Sequence, residues 1–305
     1  MGTAGSVATA DHARPQGLAA ARSYIDAKLR LEFARDRATG CTVLATSHQE
    51  PPLRVVRAFA LEDGAALVHL HNVSGGLLGG DRLGLTVNVG GGAVAQITTT
   101  GATRIYRPRV DAAVTTQVNE IVVSKDALLE YLPDAVIPFA GARFSQRTTI
   151  RLEEGAGLFW WEILAPGREA RGEVFAYESV ELKTEMSVAG RLIAAERVRL
   201  QPRERGVTSP ARMGEYRTWA TFYICRVGVA AARWLEMEAE LRETLALLNA
   251  REDALWGVST LTAHGLVVRC AAKRGRDVLP GLQCAWRAAK MRLYGREAVA
   301  PRKVN

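Results

Sequence analysis

The chain has 305 residues, 48% of them hydrophobic, and carries a formal net charge of +8; this is ample for a buried core and excludes disorder as the default. No run comes near the roughly 18 apolar residues of a membrane helix, so a soluble protein with no membrane partner is expected. The basic residues are spread along the sequence without a nucleic-acid-binding signature, which argues against nucleic acid as a partner.

Residues 1–17, MGTAGSVATADHARPQG, lack a basic start followed by an apolar core, so they read as a loose, flexible tail and not as a secretory leader. From about Lys28 to Val227 short alternating segments recur between turn signals. Strands are expected at Val55–Phe59, Ala65–His71, Leu83–Val89, Val94–Thr100, Thr115–Val123, Thr148–Leu152, Val180–Met186 and Thr218–Arg226, which are rich in Val, Ile, Thr and aromatic residues. Two helical stripes follow. Trp234, Met237, Leu241, Leu245 and Leu248 recur at steps of three and four, as do Leu279, Leu282, Trp286, Ala289 and Leu293 ahead of a stop at Gly295. They predict helices near 233–251 and 277–295 packed on the sheet, with a strand pair at Ser259–Ala271 between them. The spacing alone leaves a sandwich, a barrel and a β-solenoid open.

The segment SGGLLGGD places four glycines, Gly75, Gly76, Gly79 and Gly80, just before Asp81. Such density implies positive φ or close backbone approach, and it fixes the place of the carboxylate. The outer spacing imitates a phosphate loop, but Asp81 and Arg82 stand where Lys and Ser or Thr are required, so this is not a nucleotide site. His69 and His71 form an HxH pair whose side chains share one strand face and could chelate a divalent ion, although no third ligand is evident nearby. Cys41, Cys225, Cys270 and Cys284 are far apart with no CxxC spacing, which fits a reducing cytoplasm better than a disulfide framework or a thiolate cage.

Ingredients of catalysis are missing. There is no GxSxG elbow and no HExxH, and the chain has five His in all, so no enzyme is expected. Glu162 follows two Trp on an expected strand, and Glu196 lies inside the otherwise apolar LIAAERV. An acid there is costly to bury dry and needs a cation from a neighbouring strand or internal water, because Arg197 and Arg199 alternate to the other face.

Several motifs in order, GGLLGGDRL at Gly75–Leu83, TTTGATRIYRPR at Thr98–Arg109, LEYLPDAVIPFAGARF at Leu129–Phe144, WEIL at Trp161–Leu164, GE at Gly172–Glu173 and AAERVRL at Ala194–Leu200, resemble the urease accessory protein D family, called UreD or, in some bacteria, UreH. The resemblance implies a mainly β fold, a β-helix-like (solenoid) body with two helices, in a single domain over 18–305. It further implies a nickel metallochaperone scaffold that binds apo-urease and, with a helical accessory protein of the UreF type and a GTPase of the UreG type, delivers Ni(II) through an internal water-filled channel. A conducting path needs stops that release their ion, which favours oxygen ligands over Cys or clustered His. Asp81, Thr103, Glu162 and Glu196 are therefore the transit candidates, with His69, His71 and Glu173 weaker ones. Trp286 and Leu293 are candidates for partner docking. No tightly bound cofactor or tight metal site is expected, and Ni(II) is transient cargo. Two other classes remain to be separated by experiment: a β-solenoid hydrolase, marked by turnover, and a basic nucleic-acid-binding module, marked by steeply salt-dependent binding.

Overall fold

The computed structural model describes residues 24–109, 113–249 and 252–301, so the expected tail at 1–17 lies outside the described residues. Alternation builds the first strand: in β1 (Asp26–Arg35) Ala27, Leu29, Leu31 and Phe33 point inward while the charges between them face out. It pairs antiparallel with β2 (Thr42–Gln49). Then come β3 (Leu53–Arg54), β4 (Ala58–Ala60), β5 (Ala66–Asn72), β6 (Arg82–Val89), β7 (Val94–Thr99) and β8 (Thr103–Ile105). They are followed by β9 (Thr115–Val123), β10 (Leu128–Leu132), β11 (Val136–Pro138), β12 (Arg143–Leu152), β13 (Gly157–Leu164) and β14 (Ser179–Val188). The remaining elements are β15 (Arg191–Leu200), β16 (Thr218–Arg226), α1 (Ala231–Asn249), β17 (Ala254–Thr260), β18 (Gly265–Ala272) and α2 (Val278–Tyr294).

Two sheets result. One runs β15-β14-β12-β9-β6-β1-β2 and the other β17-β18-β16-β13-β10-β7-β5-β3. From β5 to β14 the long strands alternate between them. Thus β6, β9, β12 and β14 stack parallel in the first sheet, while β5, β7, β10 and β13 stack parallel in the second. Short β8 and β11 pair parallel with each other off the second sheet.

Most of the core lies in two layers. Between the sheets lie side chains such as Leu31, Val68, Val87, Ile97, Ile121, Leu129, Ile150 and Leu158. The outer face of the second sheet is covered by both helices through Trp234, Met237, Leu241, Leu245, Leu282, Trp286 and Leu293, the stripes that the spacing anticipates; Leu279 is the exception and is exposed. This corrects one expectation. Trp286 is 0% and Leu293 7% exposed, because both complete the sheet–helix layer, so neither side chain is free to meet a partner. The expected strand at Val55–Phe59 is interrupted, since the amide and carbonyl of Val55 are taken by the Gln49 side chain and not by a strand. The strand expected at Thr148–Leu152 starts earlier, at Arg143, and of its two added inward residues, Phe144 and Gln146, the second is polar.

Candidate functional site

One end of the space between the sheets is polar, and strand register explains how. Asn119, Thr148, Thr184 and Glu196 are successive lateral partners across β9, β12, β14 and β15, so they form a single rung on the inner face of the first sheet. On the second sheet Glu162, Thr221 and Arg269 form a rung across β13, β16 and β18. The facing rungs are bridged. Arg269 Nη2 donates to Glu196 Oε2 at 3.4 Å, and the Tyr223 hydroxyl also donates to Glu196 Oε2. The Gln146 amide donates to Glu162 Oε1, and Asn119 Nδ2 donates to Thr148 Oγ1 at 3.1 Å. Among the described residues the buried Thr221 hydroxyl has no hydrogen-bond partner.

Cavities follow this seam. An inner one of about 40 Å³ is lined by Thr99, Thr103, Gln117, Gln146 and Glu162. A wider one of about 250 Å³ shares Thr99, Thr103, Gln117 and Tyr131 with it and reaches the glycine turn at Gly75 and Gly76. Beyond the opposite end lies a groove of about 520 Å³ whose lining includes Glu196, Leu164 and Trp219. Burial pushes the Glu162 carboxyl up to about 8, with the Gln146 hydrogen bond opposing and the charge of Glu196 adding to the rise. Glu162 is therefore mostly protonated at neutral pH. Burial first, then the bond to Glu196, also raises the Tyr223 hydroxyl, which stays a neutral donor.

Of the residues singled out in the sequence, the structure brings Thr103, Glu162 and Glu196 to this seam. Asp81 is elsewhere. It is buried, and its two oxygens accept the backbone amides of Ile25 at 3.0 Å and Leu78 at 2.8 Å. The glycines make that possible: Gly80 has φ 93°, and a Cβ on Gly79 would lie 2.2 Å from Pro108 Cα. Glu173 accepts from Arg168 Nε at 2.8 Å and from the Ala140 amide at 3.1 Å, and the Arg168 contact holds its carboxyl below the ordinary range. His69 and His71 do share one face, along an outer groove with Phe59. Among the described residues no group of three or more His, Cys, Asp or Glu side chains could hold a metal ion.

Gln146, Thr148, Tyr223 and Arg269 are among the seam residues that the sequence reading did not single out. A signal existed for part of it. In QVNEIVV, alternation places Gln117 and Asn119 on the same face as buried Ile121 and Val123, so polar residues were bound to enter the interior there.

A family model described as UreD urease accessory protein matches residues 26–305. The chain is 46% identical over 263 residues to the urease accessory protein UreD of Herpetosiphon aurantiacus, covering 86% of this chain and 91% of that one. It is 34% identical over 274 residues to the protein of the same name from Pseudomonas aeruginosa, with 90% and 93% covered. With the Lysinibacillus sphaericus protein of that name it shares 32% over 250 residues, with 82% and 90% covered.

Proposed function

This chain belongs to the UreD family of urease accessory proteins and serves urease maturation, and we propose that it does so as a non-enzymatic scaffold that passes Ni(II) to apo-urease. In this reading it works in the cytoplasm with a helical accessory protein of the UreF type and a GTPase of the UreG type, and neither membrane nor nucleic acid takes part. The ion is cargo and no cofactor is retained. The in-register stacking of parallel strands, delivered alternately to two sheets, supports a β-helix-like body whose interior is the path.

The observation that carries the reading is the polar seam. Oxygen and amide groups from Thr99 and Thr103 lead by way of Gln146 and Glu162 toward Glu196 at the outer groove. Oxygen ligands that retain water bind nickel weakly enough to let it go, whereas a nitrogen or sulfur cage would trap it. Glu162, mostly protonated, is a weak stop in its resting state and a stronger one when an arriving cation displaces its proton. Asp81 shapes the wall by fixing the turn after β5, and Glu173 does the same for the loop after β13.

Coexpression of apo-urease and its accessory proteins with and without this chain tests the proposal. Nickel-loaded, active urease that depends on the chain is the expected result. Full loading in its absence, or turnover of a substrate by the isolated chain that is lost when one acid is replaced, would overturn it.

A further inference from the structure

The groove of about 520 Å³ at the outer end of the seam has a composition that the passage of a metal ion does not explain. Its floor is apolar, with Phe175, Val207, Met213 and Trp219, and four arginines, Arg199, Arg205, Arg212 and Arg217, stand around it. All four are exposed. A cation leaving or entering would meet a positive rim, so these residues are arranged for something else. Among the described residues Arg217 has a carboxylate at 3.5 Å, Glu169, and the other three have none within ion-pair distance. The acids of the groove are already engaged. Glu196 is held by Tyr223 and Arg269, and Glu204 accepts from Gln201 Nε2 at 2.7 Å.

A second cavity of about 320 Å³ shares Arg199 and Gln201 with the groove and continues it over β9, β12 and β14 to Thr116, Ser145 and Glu181. The groove itself is apolar at its base and basic along its edge, and the second cavity lengthens it with a mixed polar and apolar lining. Guanidinium groups grip carboxylates bidentately, and apolar side chains fill a floor of this kind. We propose that this groove is the docking site for an extended acidic segment of a partner protein, one with carboxylates for the arginines and apolar anchors for the Phe175–Trp219 floor. The loop from Gln201 to Arg217, which supplies three of the four arginines, is then a recognition loop. This binding stands on the charge and shape of the groove alone and holds whether or not nickel passes through the seam.

The experiment uses the full chain and fluorescent synthetic peptides. One peptide alternates Asp or Glu with Leu and Phe, a second replaces the acids by Lys, and a third keeps the acids but replaces Leu and Phe by Ser. Saturable binding of the first is expected, with loss for the other two. The paired substitutions Arg205→Glu and Arg212→Glu, both on the exposed loop, should weaken it about tenfold or more, with the circular dichroism unchanged. Binding should also fall as salt rises from about 50 to about 300 mM. Equal binding of the second peptide, or of the third, would overturn the proposal, as would an unchanged affinity in the doubly substituted chain. Tighter binding of a single-stranded oligonucleotide, lost on the same substitutions, would assign the groove to nucleic acid and overturn it too.

Discussion

Glu162 and Glu196 stand on strands of opposite sheets, and the charge of one raises the proton affinity of the other across the polar seam. Neither is held as an ordinary buried ion pair. Glu162 receives a neutral amide from Gln146, while Glu196 accepts from the Tyr223 hydroxyl and from Arg269, an arginine that is 49% exposed. An interior so arranged keeps carboxylates available at a cost in stability, and that cost can be measured.

Glu162 has its folded-state pKa raised from 4.5 to about 8. Between those values the folded chain holds a proton that the unfolded chain has released, so stability falls as pH rises through the window and levels off above it. Glu162→Gln mimics the protonated form and keeps an acceptor for Gln146. Urea unfolding should show the variant more stable at pH 7 by about 3 kcal/mol, with almost no difference near pH 4. Curves that run parallel across the whole range would contradict the account of this site.

Asp81 behaves differently because its carboxylate caps two backbone amides. Asp81→Ala leaves the amides of Ile25 and Leu78 without acceptors, and a loss of about 2 to 4 kcal/mol is expected. Gly79→Ala drives a Cβ to 2.2 Å from Pro108 and should cost about 2 kcal/mol or more. Thermal unfolding of both variants measures this, and either one melting with the unaltered chain would show that the turn does not anchor the wall.

Lys290 is buried in the sheet–helix layer, with its ammonium 2.8 Å from Glu130 Oε1. Burial already pushes the Glu130 carboxyl up, and Lys290 opposes that rise. Lys290→Met removes the opposing charge, so Glu130 takes up a proton or stays ionised unpaired. The destabilisation should be small at acid pH and grow to about 3 to 5 kcal/mol toward pH 8. Adding Glu130→Gln should remove most of that pH dependence. Denaturant melts of the single and double variants at pH 5 and pH 8 decide it.

The sequence carried the two helices and most of the strands because their apolar residues are driven into one core. Trp234 to Leu245 and Leu282 to Leu293 show the helical period plainly, and both stripes are buried. It could not place Trp286 at a surface or inside, since periodicity shows that a face is apolar and says nothing of what covers it. The seam was legible only in part. Glu196 betrayed itself as an acid among Leu192, Ile193 and Val198, but its partners Tyr223 and Arg269 lie 27 and 73 residues along the chain. Only the stacking of rungs brings them together. Asp81 illustrates the opposite limit, where a conspicuous glycine turn signals a fixed carboxylate and leaves open whether its neighbours are water or backbone amides.

If nickel reaches urease along the seam, the nickel content of urease matured with seam variants must respond to them. Apo-urease is coexpressed with its accessory proteins and this chain carrying Glu162→Gln and Glu196→Gln together, and the metal in purified urease is measured by mass spectrometry. Arg269 is half exposed and Gln146 keeps its acceptor, so the variant should remain folded and enter the same complexes. Nickel per urease active site should nevertheless fall several-fold. A folded, complex-forming variant that loads urease fully would contradict the claim.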